Sequence, residues 1–208
     1  MSESPYTVSD VMTHTVVAVG RDASFKEMVG LIDQWKVSAL PVLAGEGRVV
    51  GVVSEADLLP KEEVKARDED GLDLAERAKA KGLTAGELMS TPAVTVHADA
   101  SVAEAARIMA RRHVKRLPVV DAVGLLQGVV SRSDLLKVFL RPDEEITAEI
   151  VHTVLAELPV TTPLSVTVSE GVATLEGSAA ERTYMPIVAR AVRAVEGVVD
   201  VRLELTHR

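Results

Sequence analysis

A serine and an aspartate three residues apart close the same short phrase twice, GVVSEADLL from Gly51 to Leu59 and GVVSRSDLL from Gly128 to Leu136. Ser54 pairs with Asp57 and Ser131 with Asp134, and the phrases differ only in Glu55-Ala56 against Arg132-Ser133. A hydroxyl and a carboxylate at this spacing suit a helix start, where serine caps and the acid reaches back. They equally suit a ligand held at that start, and the residue types leave both readings open. Bond-making chemistry has less support. No Ser-His-Asp set or carboxylate pair falls on a common site, and histidines 14, 97, 113, 152 and 207 lack metal-ligand spacing. The stretch GEGRVVG from Gly45 to Gly51 has the wrong spacing for a dinucleotide loop and reads as a hairpin turn. These residues point to a binding protein rather than an enzyme.

The phrase ends a longer duplication. Met12, Val17 and Val19 recur as Met89, Val94 and Val96, 77 positions on, and Leu40-Pro41-Val42 recurs as Leu117-Pro118-Val119 in the same register. Each copy predicts strand, helix, strand, strand, helix. Phe25, Met28, Val29, Ile32 and Trp35 follow helical spacing, as do Val102, Ala105, Ala106 and Met109. Ser24 and Ser101 are expected N-caps, each with a glutamate three residues later. Strand pairs are expected at about 39–43 with 48–53 and 116–120 with 125–130. At about 50 residues a copy is too small to bury its apolar faces alone, so the copies should pack together.

The expected division is 1–60 for the first copy, 61–83 for a charged, solvated connector with Leu72, Leu74 and Ala78 on a short helix, 84–141 for the second copy, and 142–208 for a third unit. In the last, Asp143 is the expected cap of a helix with Ile146, Ile150, Val151, Val154 and Leu158 on one face. A hairpin turning at Glu170-Gly171, a helix over about 181–195 and a final strand follow.

Of 208 residues, 47% are hydrophobic but only 2% aromatic, so the cores are aliphatic and the class is α/β (α+β). Lys and Arg number 23 against 31 Asp and Glu, and the formal net charge of -8 disfavours nucleic acid. Cysteine is absent, which removes disulfides and thiolate chemistry. Neither a signal peptide nor a membrane span is apparent, and a cytoplasmic protein without a membrane role is expected.

The duplicated unit resembles a CBS domain, named after cystathionine beta-synthase, through Met12-Thr13 and Met89-Ser90, the Leu-Pro-Val strands and the repeated Gly-Val-Val-Ser-x-x-Asp-Leu-Leu. Residues 142–206 are similar to a BON domain through VTVSEGVATLEGS and VEGVVDV, and the combination resembles actinobacterial CBS-BON proteins. The resemblance implies two packed β-α-β-β-α units with an α-β-β-α-β domain behind them. It also implies an energy-sensing role in which AMP, ADP, ATP or S-adenosylmethionine binds between the CBS units, with no required cofactor or metal. Asp57 and Asp134 match the aspartate that holds the ribose hydroxyls, a task that suits two acceptor oxygens. Ser54 and Ser131 match the hydroxyl near phosphate, and Val17, Val94, Leu40-Pro41 and Leu117-Pro118 would flank the base. Arg111, Arg112, His113, Lys115, Arg116 and Arg132 of the second copy would then crowd a second site around Asp134, although such a run also suits a solvated helix end. A homodimer and a protein partner for the BON-like domain are expected. The alternatives are a ligand-independent interaction scaffold and a lipid-associating protein.

Overall fold

A strand, a helix and two more strands cannot cover both sheet faces within one copy, and the structure shows how the two copies share the task. It is a computed structural model that describes residues 6–62, 79, 81–156, 164–178 and 184–206. After a short helix α1 (Val8–Val11), the first copy runs β1 (Val19–Gly20), α2 (Phe25–Trp35), β2 (Ala39–Ala44), β3 (Arg48–Ser54) and α3 (Glu55–Leu58). The second begins with α4 (Ala85–Leu88), then β4 (Val96–His97), α5 (Val102–Arg112), β5 (Arg116–Val120), β6 (Leu126–Ser131) and α6 (Arg132–Leu135). Each copy's sheet has its central strand parallel to the first and antiparallel to the third. Val19 faces Val42 and Ala39 faces Ser54, while Val96 faces Val119 and Arg116 faces Ser131.

Local chemistry sets the helices. Ser24 Oγ accepts from the Glu27 N–H at 3.3 Å, and the Glu27 carboxylate accepts from the Ser24 N–H at 3.4 Å, so α2 starts in a reciprocal cap. Ser101 Oγ accepts from the Glu104 N–H at 3.1 Å. Lys36 and His113 end α2 and α5 in the left-handed conformation, φ 52° and 55°. Met28 and Ile32 seat α2 on Val19, Leu40, Val42 and Val53. The expected helix faces are corrected at three positions. Val29 and its repeat equivalent Ala106 are exposed because they stand on the flank of the buried stripe, and Trp35 is exposed because it is the last residue before the left-handed turn.

The copies exchange their leading segments. Thr13 and Val129 trade N–H···O bonds of 2.9 and 3.0 Å, and their repeat equivalents Ser90 and Val52 do the same at 2.9 and 3.1 Å. A side chain at Gly51 would meet the Met89 sulfur, and one at Gly128 would meet the Met12 sulfur. The repeated methionine and glycine are therefore two sides of one contact, made once in each direction. With Met12–Arg132 forming one compact unit, the pairing of the copies is internal to it.

The other compact unit comprises Ser133–Arg208 with the residues up to Val11. Helix α7 (Asp143–Glu149) continues through π-helical turns at Ile150–Leu155, and then come β7 (Ser165–Ser169), β8 (Val172–Ser178), α8 (Met185–Arg193) and β9 (Asp200–Thr206). β7 and β8 form a hairpin, and β9 lies parallel to β8. Glu170 and Gly171 have φ of 53° and 73°, the two positive values a two-residue type I′ turn requires. Asp143, the cap expected from the sequence, does not cap α7; Pro142 holds that position. The Asp143 carboxylate instead accepts from the Glu170 and Gly171 N–H groups at 2.8 and 2.9 Å, which ties the helix to the hairpin turn. Ile146 and Ile150 join Leu175, Met185, Val188 and Val192 in the core, whereas Val151 is exposed. Leu158, Leu72, Leu74 and Ala78 lie outside the described residues. Among the described residues no helix is long and apolar enough to cross a membrane.

Candidate functional site

Strand alternation buries Val53 completely and brings Ser54 to the end of β3, where one turn of α3 returns Asp57 towards it. Asp57 Oδ2 accepts from the Ser54 N–H at 2.8 Å and from the Ser54 hydroxyl at 2.6 Å. Its Oδ1 accepts from the Ser90 hydroxyl of the second copy at 3.2 Å and from the Lys79 ammonium. Asp57 is 7% exposed, and burial this deep is stable for a carboxylate only when donors and a cation meet it.

Beside this carboxylate lies a cavity of about 280 Å³ within the Met12–Arg132 unit. The first copy contributes Ser38, Ala39, Val52 and Ser54 to Asp57, and the Glu55 N–H donates to the Ser38 carbonyl at 3.1 Å. Ser90, Pro92, Ala93, Val94 and the run His113 to Arg116 come from the second. Small side chains, Ala39, Val52, Ala93 and Val94, supply the apolar wall, and no Phe, Tyr or Trp lines it. Hydroxyls and a carboxylate meet at Ser54, Asp57 and Ser90, while Lys115 and Arg116 bring positive charge to the lining and Glu55 a second negative one. Such a lining accepts a flat apolar group, a hydroxyl-bearing group and an anion.

The sequence reading grouped Lys115 and Arg116 with Ser131 and Asp134; the structure brings them instead, together with Val94, to Ser54 and Asp57, because this cavity is lined by both copies. Leu40 and Leu117 have no exposed surface and, with buried Pro41 and Pro118, belong to the core rather than to a wall beside a base. At that place the wall is Ser38-Ala39 and Val114 to Arg116. Val17 packs against the first copy's core. Arg132 pins the cationic segment from behind: its N–H donates to the Lys115 carbonyl at 3.0 Å and its Nη2 to the Val114 carbonyl at 3.1 Å. Ser131 ends β6 opposite Arg116. Asp134 falls in the other compact unit and forms an ion pair of 2.6 Å with Lys137.

Sequence reasoning missed Ser90 and Lys79. A signal for Ser90 existed, since its repeat equivalent Thr13 also carries a hydroxyl. For Lys79, in a mixed-charge run, nothing local distinguishes it from its neighbours.

Comparison with known proteins points the same way. The CBS domain description matches residues 8–61 and 85–141, and the BON domain description matches 142–207. An uncharacterized protein of Methanocaldococcus jannaschii is 33% identical over 135 residues, 62% of this chain but 31% of that one. The chloroplastic CBS domain-containing protein CBSX2 of Arabidopsis thaliana is 29% identical over 157 residues, 67% of this chain and 66% of that one. The chain thus spans less than two thirds of the length of either relative. The crystal structure of CBSX2 in complex with AMP superposes with a TM-score of 0.59 at 31% identity, covering 65% of this chain and 97% of that one. The CBS domain pair of protein MJ0100, in complex with 5′-methylthioadenosine and S-adenosylmethionine, gives a TM-score of 0.52 at 21% identity over 64% and 95% of the two chains, which bears on the fold alone.

Proposed function

The chain belongs to the CBS-domain family, with a CBS pair followed by a BON domain, and from that premise we propose that it is a regulatory module that binds an adenosine derivative in the cavity beside Asp57. The observation that carries this reading is the meeting of Ser54 and Asp57 from one copy with Lys115 and Arg116 from the other around about 280 Å³ of space. The adenine lies against Ala39, Val52, Ala93 and Val94, the ribose hydroxyls donate to Asp57, and phosphates face Lys115 and Arg116. A relative at 31% identity that holds AMP supports the ligand class.

Occupancy regulates by favouring one of two arrangements, and it does so only to the extent that the ligand binds them unequally. The output passes to the BON domain or to a protein partner. The chain works as a homodimer: exposed Leu59 and Leu136 leave apolar surface that a second copy covers, whereas their neighbours Leu58 and Leu135 are already buried.

Titration calorimetry with adenosine, AMP, ADP, ATP and S-adenosylmethionine tests the assignment. Binding of at least one phosphorylated ligand is expected, with thermal stabilisation approaching about 2.7 kcal/mol at a hundredfold excess over Kd. No heat and no stabilisation with any of the five at millimolar concentration would overturn it.

A further inference from the structure

We propose that Lys79 is a resident occupant of the ribose position, and that a hydroxyl-bearing ligand enters the cavity by displacing its ammonium from Asp57. This rests on the reading of the cavity given above and adds a means of regulation to it. A carboxylate offers about four lone-pair sites. At Asp57 all four have donors: the Ser54 N–H and hydroxyl on Oδ2, the Ser90 hydroxyl and the Lys79 ammonium on Oδ1. A ribose diol therefore cannot add its hydroxyls; it has to replace a donor.

The donors differ in how readily they leave. The Ser54 N–H belongs to the backbone at the β3–α3 junction. The Ser54 and Ser90 hydroxyls line the cavity and, by rotating, can serve the carboxylate or a ligand. Lys79 reaches Asp57 from 22 residues along the chain on a long side chain that is 27% exposed, so its ammonium can turn to water and leave the carboxylate. The pair also has a clear purpose whenever no ligand hydroxyl meets the carboxylate. A carboxylate this buried is unstable without a cation, and Lys79 supplies one until ligand hydroxyls take over. Release of Lys79 then reports occupancy to the segment between the two copies.

Adenosine is the discriminating probe, because it lacks the phosphates that Lys115 and Arg116 would attract. With the full chain, Lys79→Ala and Lys79→Met, the latter keeping the aliphatic stem, should bind adenosine about fivefold more tightly than the wild type. Lys79→Arg should stay near the wild-type value, and Lys26→Ala, an equal charge change at an exposed position of α2, should have no effect. Saturating adenosine should also speed trypsin cleavage after Lys79 in the wild type. Weaker or unchanged binding in both Lys79→Ala and Lys79→Met, or cleavage indifferent to adenosine, overturns the displacement. If the wild type binds adenosine and the variants gain nothing, the displacement alone falls and the nucleotide reading stands. If neither the wild type nor either variant binds adenosine or AMP, both fall.

Discussion

Two serine–aspartate pairs with the same flanking residues have different surroundings. Asp57 draws donors from three parts of the chain, Ser54 beside it, Ser90 of the other copy and Lys79, and it borders the cavity. Asp134 has its ion pair with Lys137 one helical turn away, and that lysine is 55% exposed. Two copies of one motif therefore meet different neighbours. On the reading proposed above, what lies across from each decides its role, and for Asp57 that includes the other copy.

The largest test of this contrast removes each carboxylate in turn. Asp57→Ala should weaken AMP about tenfold to a hundredfold, because hydrogen bonds to a charged acceptor contribute roughly 1.5–3 kcal/mol each. Asp134→Ala should leave affinity at this cavity within about threefold. Calorimetry on the two variants decides it, and an equal loss would mean that the pairs are equivalent after all.

The exchange of leading segments can be tested through its two glycines. A β-carbon at Gly128 would stand 2.9 Å from the Thr13 carbonyl oxygen and 2.7 Å from the Met12 sulfur, whereas at Gly51 its close contacts are with the Met89 side chain alone. Methionine can swing aside, but a backbone carbonyl held by Val129 cannot. Gly128→Ala should therefore cost about 2–3 kcal/mol in urea denaturation and Gly51→Ala about 1 kcal/mol. Equal costs would show that both contacts relax alike.

Much of the fold was legible because it is written locally. The Ser24 cap and the Glu170-Gly171 turn each depend on neighbours within a few positions, and the 77-residue register is the recurrence of such local signals. The cavity was legible only in its parts. Ser54, Asp57, Lys115, Arg116 and Val94 were all singled out, yet a repeat cannot say whether its motifs close within a copy or across two. The repeated Met12 and Met89 held that answer, but their recurrence alone does not say which copy each one touches. Arg132 misled for a different reason: a charge that differs between copies looks like ligand specificity, and here its side chain holds the Val114 carbonyl. Lys79 was illegible because its partner is 22 residues away and its own surroundings are an ordinary charged run.

A smaller effect separates the cations that line the cavity from the one behind them. Arg116→Glu should weaken AMP and ATP about tenfold while changing adenosine little, since charge-assisted bonds to phosphate are lost. Arg132→Glu should act only through the position of Lys115, with a loss of about twofold to threefold. Raising salt should shrink the Arg116 effect through screening. The comparison is sharpened by measuring all three ligands on both variants; a larger loss at Arg132 would place its guanidinium, not that of Arg116, on the phosphate.

The smallest expected difference between the copies lies at their entrances. Ahead of the first copy the Asp10 carboxylate accepts from the Thr7 N–H and hydroxyl at 2.7 and 2.9 Å. Its counterpart Glu87, one methylene longer, accepts from two backbone groups, the Leu83 N–H at 2.8 Å and the Thr84 N–H at 3.1 Å. Those bonds, that from Leu83 foremost, hold the Glu87 carboxyl below the usual glutamate range. A lowered carboxyl pKa means that the folded chain holds its proton less tightly than the unfolded one. Its contribution to stability is therefore complete above the unfolded pKa and disappears as pH falls through the folded one. Glu87→Gln keeps an acceptor but removes the charge, so the variant should be less stable than the wild type at neutral pH and equal to it at the acid end. Urea denaturation across that range measures the closing gap. The gap should be narrow, because the carboxylate is fully exposed and solvent screens it. A gap that stays constant with pH would mean that the amide cannot replace the carboxylate for steric reasons, and that the charge at this entrance does not matter.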